Sequence, residues 1–142
     1  MTLDDIKFDR SLLGVEHSIG TIEVTTDMIV GYAKATGETS KRYIGTEALA
    51  SPVLCTMFTQ GLVRPDIKLE FGGIGLFAGE AIDNISLVTS GDILEGKTKL
   101  KEVYGKTGRS GKMVFSVWET KFHRPDGEVV ALVRESYVQR EK

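Results

Sequence analysis

A single cysteine, Cys55, stands among 142 residues, so no disulfide can close within the chain and nothing favours an oxidising compartment. Net charge is nearly lacking too. Eighteen basic and 20 acidic residues leave a formal −2, which gives no electrostatic case for nucleic acid or an anionic membrane as partner. No stretch approaches the ~20 apolar residues that cross a bilayer. The opening residues, MTLDDIKFDR, carry acids where a secretory leader carries bases ahead of an apolar run. These absences predict a cytoplasmic protein. Only two histidines occur, His17 and His123, without ligand spacing to each other or to Cys55, so no metal and no cofactor is expected. There is no G-x-S-x-G elbow to present a serine nucleophile. Cys55 has no histidine nearby in its motif to make it a thiolate, and is expected to be a small apolar core residue.

What is present fits one domain over residues 1–142, close to the commonest domain size of roughly 100–150 residues. The stretch 51–65, SPVLCTMFTQGLVRP, is apolar on every side and predicts a short buried helix. Ser51 suits its cap, Pro52 its first position, and Pro65 marks its exit. The second half of the chain alternates as strands do. Leu94, Gly96, Thr98 and Leu100 oppose Lys97, Lys99 and Lys101 over 93–104, and Val114, Trp118 and Phe122 oppose Phe115 and Val117 over 113–123. Residues 124–127, RPDG, predict a tight turn, and 129–138 a closing strand. An α+β architecture follows, one antiparallel sheet curled around one central helix.

Earlier elements are shorter. Residues 21–24 alternate as a first strand, after a loose or partly helical lead-in over 1–9. Thr25 or Thr26 caps a helix whose Ile29, Tyr32, Ala33 and Thr36 share one face, and Gly37 ends it. Residues 46–50 predict one further turn. Four glycines within 71–79 predict a flexible flap, and that stretch lacks the lysine of a phosphate loop. Residues 82–88 predict a strand, and 105–112 a polar hairpin loop.

The segment 32–43, YAKATGETSKRY, sets an acid just past a helix end, with hydroxyl and basic groups close behind. It resembles the signature Tyr-Ala-x-x-Thr-Gly-Asp-x-Asn-Pro-Leu-His of the MaoC-like hydratases, the R-specific enoyl-thioester hydratase and dehydratase family. Tyr32, Ala33, Thr36 and Gly37 match in register. Ser51, Pro52, Val53, Leu54 and Met57 are similar to the family's Pro-Ile-Val-His-Gly-Met start of the central helix. Gly91 and Asp92 resemble its turn before the long strand, and 122–138 its closing hairpin. The resemblance runs from Leu12 over nearly the whole chain and is nearest to the amino-terminal, FAS-type dehydratase half of the family.

This resemblance implies a hotdog fold and an acyl-CoA or acyl-ACP thioester as the bound molecule. It also implies a homo- or hetero-dimer with another MaoC-like subunit. The family's aspartate and histidine handle water and proton at the double bond; Glu38 and Tyr43 occupy those positions here. A tyrosine of ordinary pKa, about 10, is a poor base at neutral pH. The family's glycine, whose backbone N–H binds the thioester oxygen, corresponds to Thr56, and the preceding histidine to Cys55. Ser40, Ser51, Cys55 and Thr56 are the implied substrate-binding residues, with the 72–79 flap as further pocket lining. The loss of the acid–base pair implies a catalytically silent, acyl-binding subunit of a heteromeric hydratase. The alternatives are a self-sufficient homodimeric hydratase using Glu38 and Tyr43, and a non-catalytic acyl-CoA-binding scaffold.

Overall fold

The computed structural model describes residues 5–44 and 48–141. Five strands, β1 (His17–Glu23), β2 (Gly75–Asn84), β3 (Ile93–Gly108), β4 (Gly111–His123) and β5 (Val129–Arg140), form one antiparallel sheet in the order β1-β3-β4-β5-β2. β3, β4 and β5 are a meander. Pairing of Gly108 with Gly111 leaves Arg109 and Ser110 as the whole turn, so the polar loop expected over 105–112 is mostly strand. The turn after β4 is where the sequence placed it, closed by Gly127 N–H donating to Arg124 O at 2.9 Å.

The sheet has a dry and a wet face, as the alternation demands. Leu94, Leu100, Val114, Trp118, Phe122, Ala131 and Val133 are buried on the inner face. On the outer face Glu119 gathers Lys101 at 3.0 Å, Arg134 at 3.5 Å and Lys99 at 3.9 Å. These long side chains cover the Glu119 carboxylate, while the two lysines stay half-exposed.

One α-helix occurs among the described residues, α1 (Thr26–Ala35). The Thr25 hydroxyl accepts the Met28 N–H at 3.2 Å, with Asp27 in the first turn and Lys34 in the last complementing the helix dipole. Ile29 and Ala33 bury its inner side against the sheet.

The buried helix expected over 51–65 is not α-helical, which is a correction. Leu54–Thr59 is a 3-10 segment whose preceding residue Val53 makes no side-chain cap. Its hydroxyls explain the tightening. Thr56 Oγ1 donates to Val53 O at 2.7 Å and Thr59 Oγ1 to Thr56 O at 3.1 Å, reaching back three residues along the turn. It is also not buried all round: Leu54, Cys55 and Thr59 point inward, while Met57 is half-exposed and Val63 beyond it is 98% exposed. After Gln60 the chain runs irregularly over the inner sheet face, and Ile67, Leu69 and Phe71 pack there beside Phe8, Leu12 and Leu13.

Other expectations shift at their edges. β1 starts at His17, ahead of the expected 21–24, and the strand expected over 82–88 runs instead as β2 from Gly75 to Asn84. Most of the supposed flap is therefore edge strand paired with β5. Its approach depends on glycine: a Cβ on Gly72, at φ +61°, would lie 1.8 Å from the Arg140 carbonyl oxygen, which Gly73 N–H approaches at 3.3 Å. The lead-in is no loose tail throughout, since Ile6 is buried and Arg10–Leu12 form a short 3-10 turn. Part of the turn expected over 46–50 lies outside the described residues, and Leu49 bridges to Thr89 as extended backbone.

The link from β2 to β3 is clamped. Asp92 accepts the Thr89 N–H at 2.9 Å and Arg124 Nη2 at 3.0 Å, while another Arg124 bond reaches Leu87 O at 2.7 Å. Burial alone would push the Asp92 carboxyl up, but the Arg124 and Thr89 bonds hold it below its ordinary value.

Candidate functional site

The end of α1 creates the first half of the site. Gly37, at φ +78°, donates its N–H to Lys34 O at 3.2 Å, and Glu38 N–H reaches Ala33 O at 2.8 Å. This paired closure is a Schellman turn, which needs the left-handed residue that glycine supplies. Thr36 Oγ1 adds a bond to Tyr32 O at 2.9 Å. The Thr-Gly pair therefore turns the chain sharply off the helix and delivers Glu38 to the surface. Ser40 then caps the short 3-10 turn Lys41–Tyr43, accepting from Arg42 N–H at 3.4 Å. Tyr43 folds inward into the main core cluster, with the Arg42 guanidinium 5.4 Å over its ring.

Glu38, Ser40 and Tyr43 line one cleft of about 180 Å³, together with Val30 and Ala33 of α1. Within it Glu38 is exposed, and among the described residues nothing hydrogen bonds or ion-pairs with its carboxylate. Tyr43 is buried. The acid thus stands in water and the phenol in the core.

Ser51, Cys55 and Thr56 do not line that cleft. Ser51 is nearly buried and its carbonyl accepts the Leu54 N–H at 2.9 Å. Cys55 lies in the same core cluster as Tyr43, and burial pushes its thiol up to about 12 from an ordinary 9.0. The thiolate is the reactive form, so this sulfur is inert at neutral pH. Thr56 N–H, at the position where the resemblance implied an oxyanion donor, already donates to Val53 O at 3.1 Å. The 72–79 stretch is elsewhere again. Ala78 and Gly79 border a trough of about 410 Å³ with Tyr104, Phe115 and Arg134.

Neither histidine lines the cleft that holds Glu38 and Tyr43. His17 opens β1 opposite Thr98, and His123 ends β4, its Nδ1 3.0 Å from Arg124 O. Among the described residues no three His, Cys, Asp or Glu side chains gather as a metal site. Nor is any described helix long and apolar enough to cross a membrane.

A polar belt that sequence reasoning did not single out crosses the inner face. Arg64, from the irregular segment after Gln60, donates to Glu135 Oε1 at 2.5 Å, Thr98 Oγ1 at 3.2 Å, Tyr137 Oη at 3.3 Å and Thr120 Oγ1 at 3.4 Å. Thr120 Oγ1 donates in turn to Thr98 at 3.0 Å, and Tyr137 to Glu135 at 3.3 Å. The guanidinium lies 5.4 Å from the Trp118 ring. Both members of the ion pair are nearly buried, at 8% and 6% side-chain exposure, so its geometry has to offset the desolvation of both charges. Burial and the Glu135 charge push the Tyr137 phenol up. On one side of this belt lies the cluster of Tyr43, Cys55, Leu94 and Phe122, on the other that of Ile6, Leu100, Val114 and Trp118. The available signal was Glu135 itself, an acid at an inward position between Val133 and Tyr137.

Comparison with known proteins follows the same lines. The family model described as FAS1-like, dehydratase domain region, matches residues 11–133. A search of curated proteins gave no match. Among solved structures, one similar chain is from the C-terminally truncated HadBC (3R-hydroxyacyl-ACP dehydratase) complex of Mycobacterium tuberculosis. It has a TM-score of 0.70 and 13% identity, with 92% of this chain and 98% of that one covered. The unliganded R-hydratase PhaJ1 of Pseudomonas aeruginosa gives 0.67 at 14% identity, covering 92% and 83%. The ChsH1–ChsH2 complex of M. tuberculosis gives 0.68 at 16% identity, covering 90% and 84%. Identities this low speak to the backbone, and the shared backbone is the hotdog fold of a curled antiparallel sheet with one main helix. With the family match spanning most of its length, the chain belongs to the FAS1-like dehydratase domain region family.

Proposed function

We propose that this chain is the acyl-thioester-binding, catalytically silent subunit of a heteromeric R-specific enoyl-CoA or enoyl-ACP hydratase. The observation that carries the reading is the separation of environments at the motif: an exposed Glu38 carboxylate with no partner among the described residues, beside a Tyr43 held in the core. Addition of water across an enoyl thioester needs a base to take a proton from water and an acid to deliver one to carbon, both within hydrogen-bond reach. The Tyr43 phenol, buried in the core and without a bond to Glu38, does not form such a pair. The Thr56 N–H, already bonded to Val53 O, does not stand ready for the thioester oxygen either. The acid–base pair then belongs to a partner subunit of the same fold, and this chain shapes the acyl pocket. Two of the similar structures are described as complexes of two named components, which supports that arrangement. The unpaired edges of β1 and β2 offer places where a second sheet could pair.

The test is hydration of crotonyl-CoA, followed by loss of enoyl absorbance. The purified chain alone is expected to be inactive, and co-expression with a hydratase subunit from a neighbouring gene to give activity. Turnover by the chain alone, or a partner equally active without it, overturns the reading. A second reading draws on the cleft that Glu38, Ser40 and Tyr43 share, and makes the chain a self-sufficient homodimeric hydratase. In that case Glu38→Gln abolishes turnover by the chain alone.

A further inference from the structure

The outer face of the sheet carries two rows of opposite character. In one, Lys99, Glu119 and Arg134 stand opposite one another across β3, β4 and β5 and pair among themselves. Nearer the β3–β4 hairpin, the row Tyr104, Phe115, Val138 and Leu76 crosses four strands without a charge. Tyr104 and Phe115 stack with ring centroids 5.0 Å apart and planes at 10°, and Leu76 is 56% exposed. A contiguous apolar row on a face that is otherwise charged points to a contact surface.

The two sides of this row complement each other. The bulge between Leu100 and Glu102 shifts the alternation, so Glu102, Tyr104 and Lys106 follow one another on the outer face. Glu102 and Lys106 are about 13 Å apart along the strand, too far to pair within the chain. Among the described residues Glu102 has no hydrogen-bond or ion-pair partner. Lys106 has no acid there either, its Nζ lying 5.7 Å from the Tyr104 ring centroid and 5.6 Å from that of Phe115. Shape follows the same division. On the Glu102 side the small residues Gly79 and Ser136 border the trough of about 410 Å³, and on the Lys106 side stand the long side chains of Met113 and Arg140, paired across β4 and β5.

We infer that this row is an interface between two copies of the chain, packed outer face to outer face about a two-fold axis that lies along the row. Such an axis lays each β3 antiparallel across the other, with the sheets about 10 Å apart. Glu102 of one copy then faces Lys106 of the second, and Met113 and Arg140 of one enter the trough of the other. One rotation satisfies charge and shape together, as an isologous contact requires. The cleft at the end of α1 lies against the inner face and the edges of β1 and β2 stay open, so the contact is independent of the silent-subunit reading.

Equilibrium sedimentation of the full chain tests it. The wild type is expected to self-associate. Glu102→Lys and Lys106→Glu each set like charges against each other across the axis, and each should weaken the association at least about tenfold. Both reversals in one chain restore opposite charges and should bring the affinity back to within about threefold of wild type. Association through the sheet edges would leave all three variants like the wild type. Tyr104→Cys, on the axis, should cross-link between copies under mild oxidation, whereas Ser110→Cys, exposed at the hairpin tip and about 20 Å from the axis, should not. A monomeric wild type, indifference to either single reversal, a double variant no better than the singles, or cross-linking that fails at 104 or occurs at 110 overturns the inference.

Discussion

The end of α1 and the inner-face belt hold the same kinds of group in opposite conditions. At the helix end an acid and a phenol share a cleft, yet Glu38 stands in water and Tyr43 in the core, with no bond between them. In the belt an acid and a guanidinium have nearly buried side chains, a phenol is partly buried beside them, and each is bonded to the others. The difference shows where this chain has invested its electrostatics. The Schellman turn at Gly37 keeps the backbone of the motif in place while Glu38 and Tyr43 stay apart, and the paired charges of the belt are held between the two halves of the core.

Breaking the belt on one side should have the largest effect. Glu135→Ala strands the Arg64 guanidinium in the core and is expected to cost about 3–5 kcal/mol, read from urea unfolding. Replacing both partners, Arg64→Met together with Glu135→Leu, should cost far less, because no charge is left unpaired. If the single and double variants are equally damaged, the belt is only packing, and the contrast with the motif disappears.

The ground behind the motif can be sharpened through Cys55. Its thiol is raised from 9.0 to about 12 in the folded chain, so between those values the folded state holds a proton the unfolded state has lost. Stability should therefore fall as pH rises through this window, by up to about 1.4 kcal/mol per unit. The contribution is complete below pH 9. Comparing urea unfolding of the wild type and Cys55→Ala at pH 8 and pH 10.5 isolates that slope, and parallel curves would contradict it.

The smallest effect belongs to Glu38. With no partner among the described residues, the exposed Glu38 carboxylate contributes little, so Glu38→Gln should leave stability within about 0.5 kcal/mol in a thermal melt. A larger loss would mean that Glu38 is engaged in the folded protein after all.

The meander was legible because its alternation has one wet side: lysines at 97, 99 and 101 face away from Leu94, Thr98 and Leu100. α1 was legible for a local reason, a threonine before it and a glycine after it. Residues 51–65 misled because an apolar stretch says nothing about whether its hydroxyls will turn back on its own carbonyls, as Thr56 and Thr59 do. β2 was hidden by its glycines, since what makes it a strand is pairing with β5, far along the chain. For the site, the motif spacing brought Glu38, Ser40 and Tyr43 into one cleft, but Ser51, Cys55 and Thr56 line other ground. The belt required the fold itself. Glu135 could be marked as an inward acid, yet its cation stands 71 residues earlier, in a segment with no periodic pattern.

The strand order also carries a consequence for how the chain folds. β3, β4 and β5 meet through two tight turns, whereas β1 and β2 reach β3 and β5 only after long stretches of intervening chain. Loop closure delays such distant pairings, so the three-stranded meander is the natural nucleus and the two edges join it later. Thr98, Thr120 and Glu135 all belong to that nucleus, and Arg64 does not. Glu135 therefore stays hydrated until the segment carrying Arg64 docks, and the charge is buried at the same late step that brings its partner. Interactions formed that late act on the rate of unfolding far more than on the rate of folding. The belt is then a latch, set last and released first, on a core whose two halves it keeps apart.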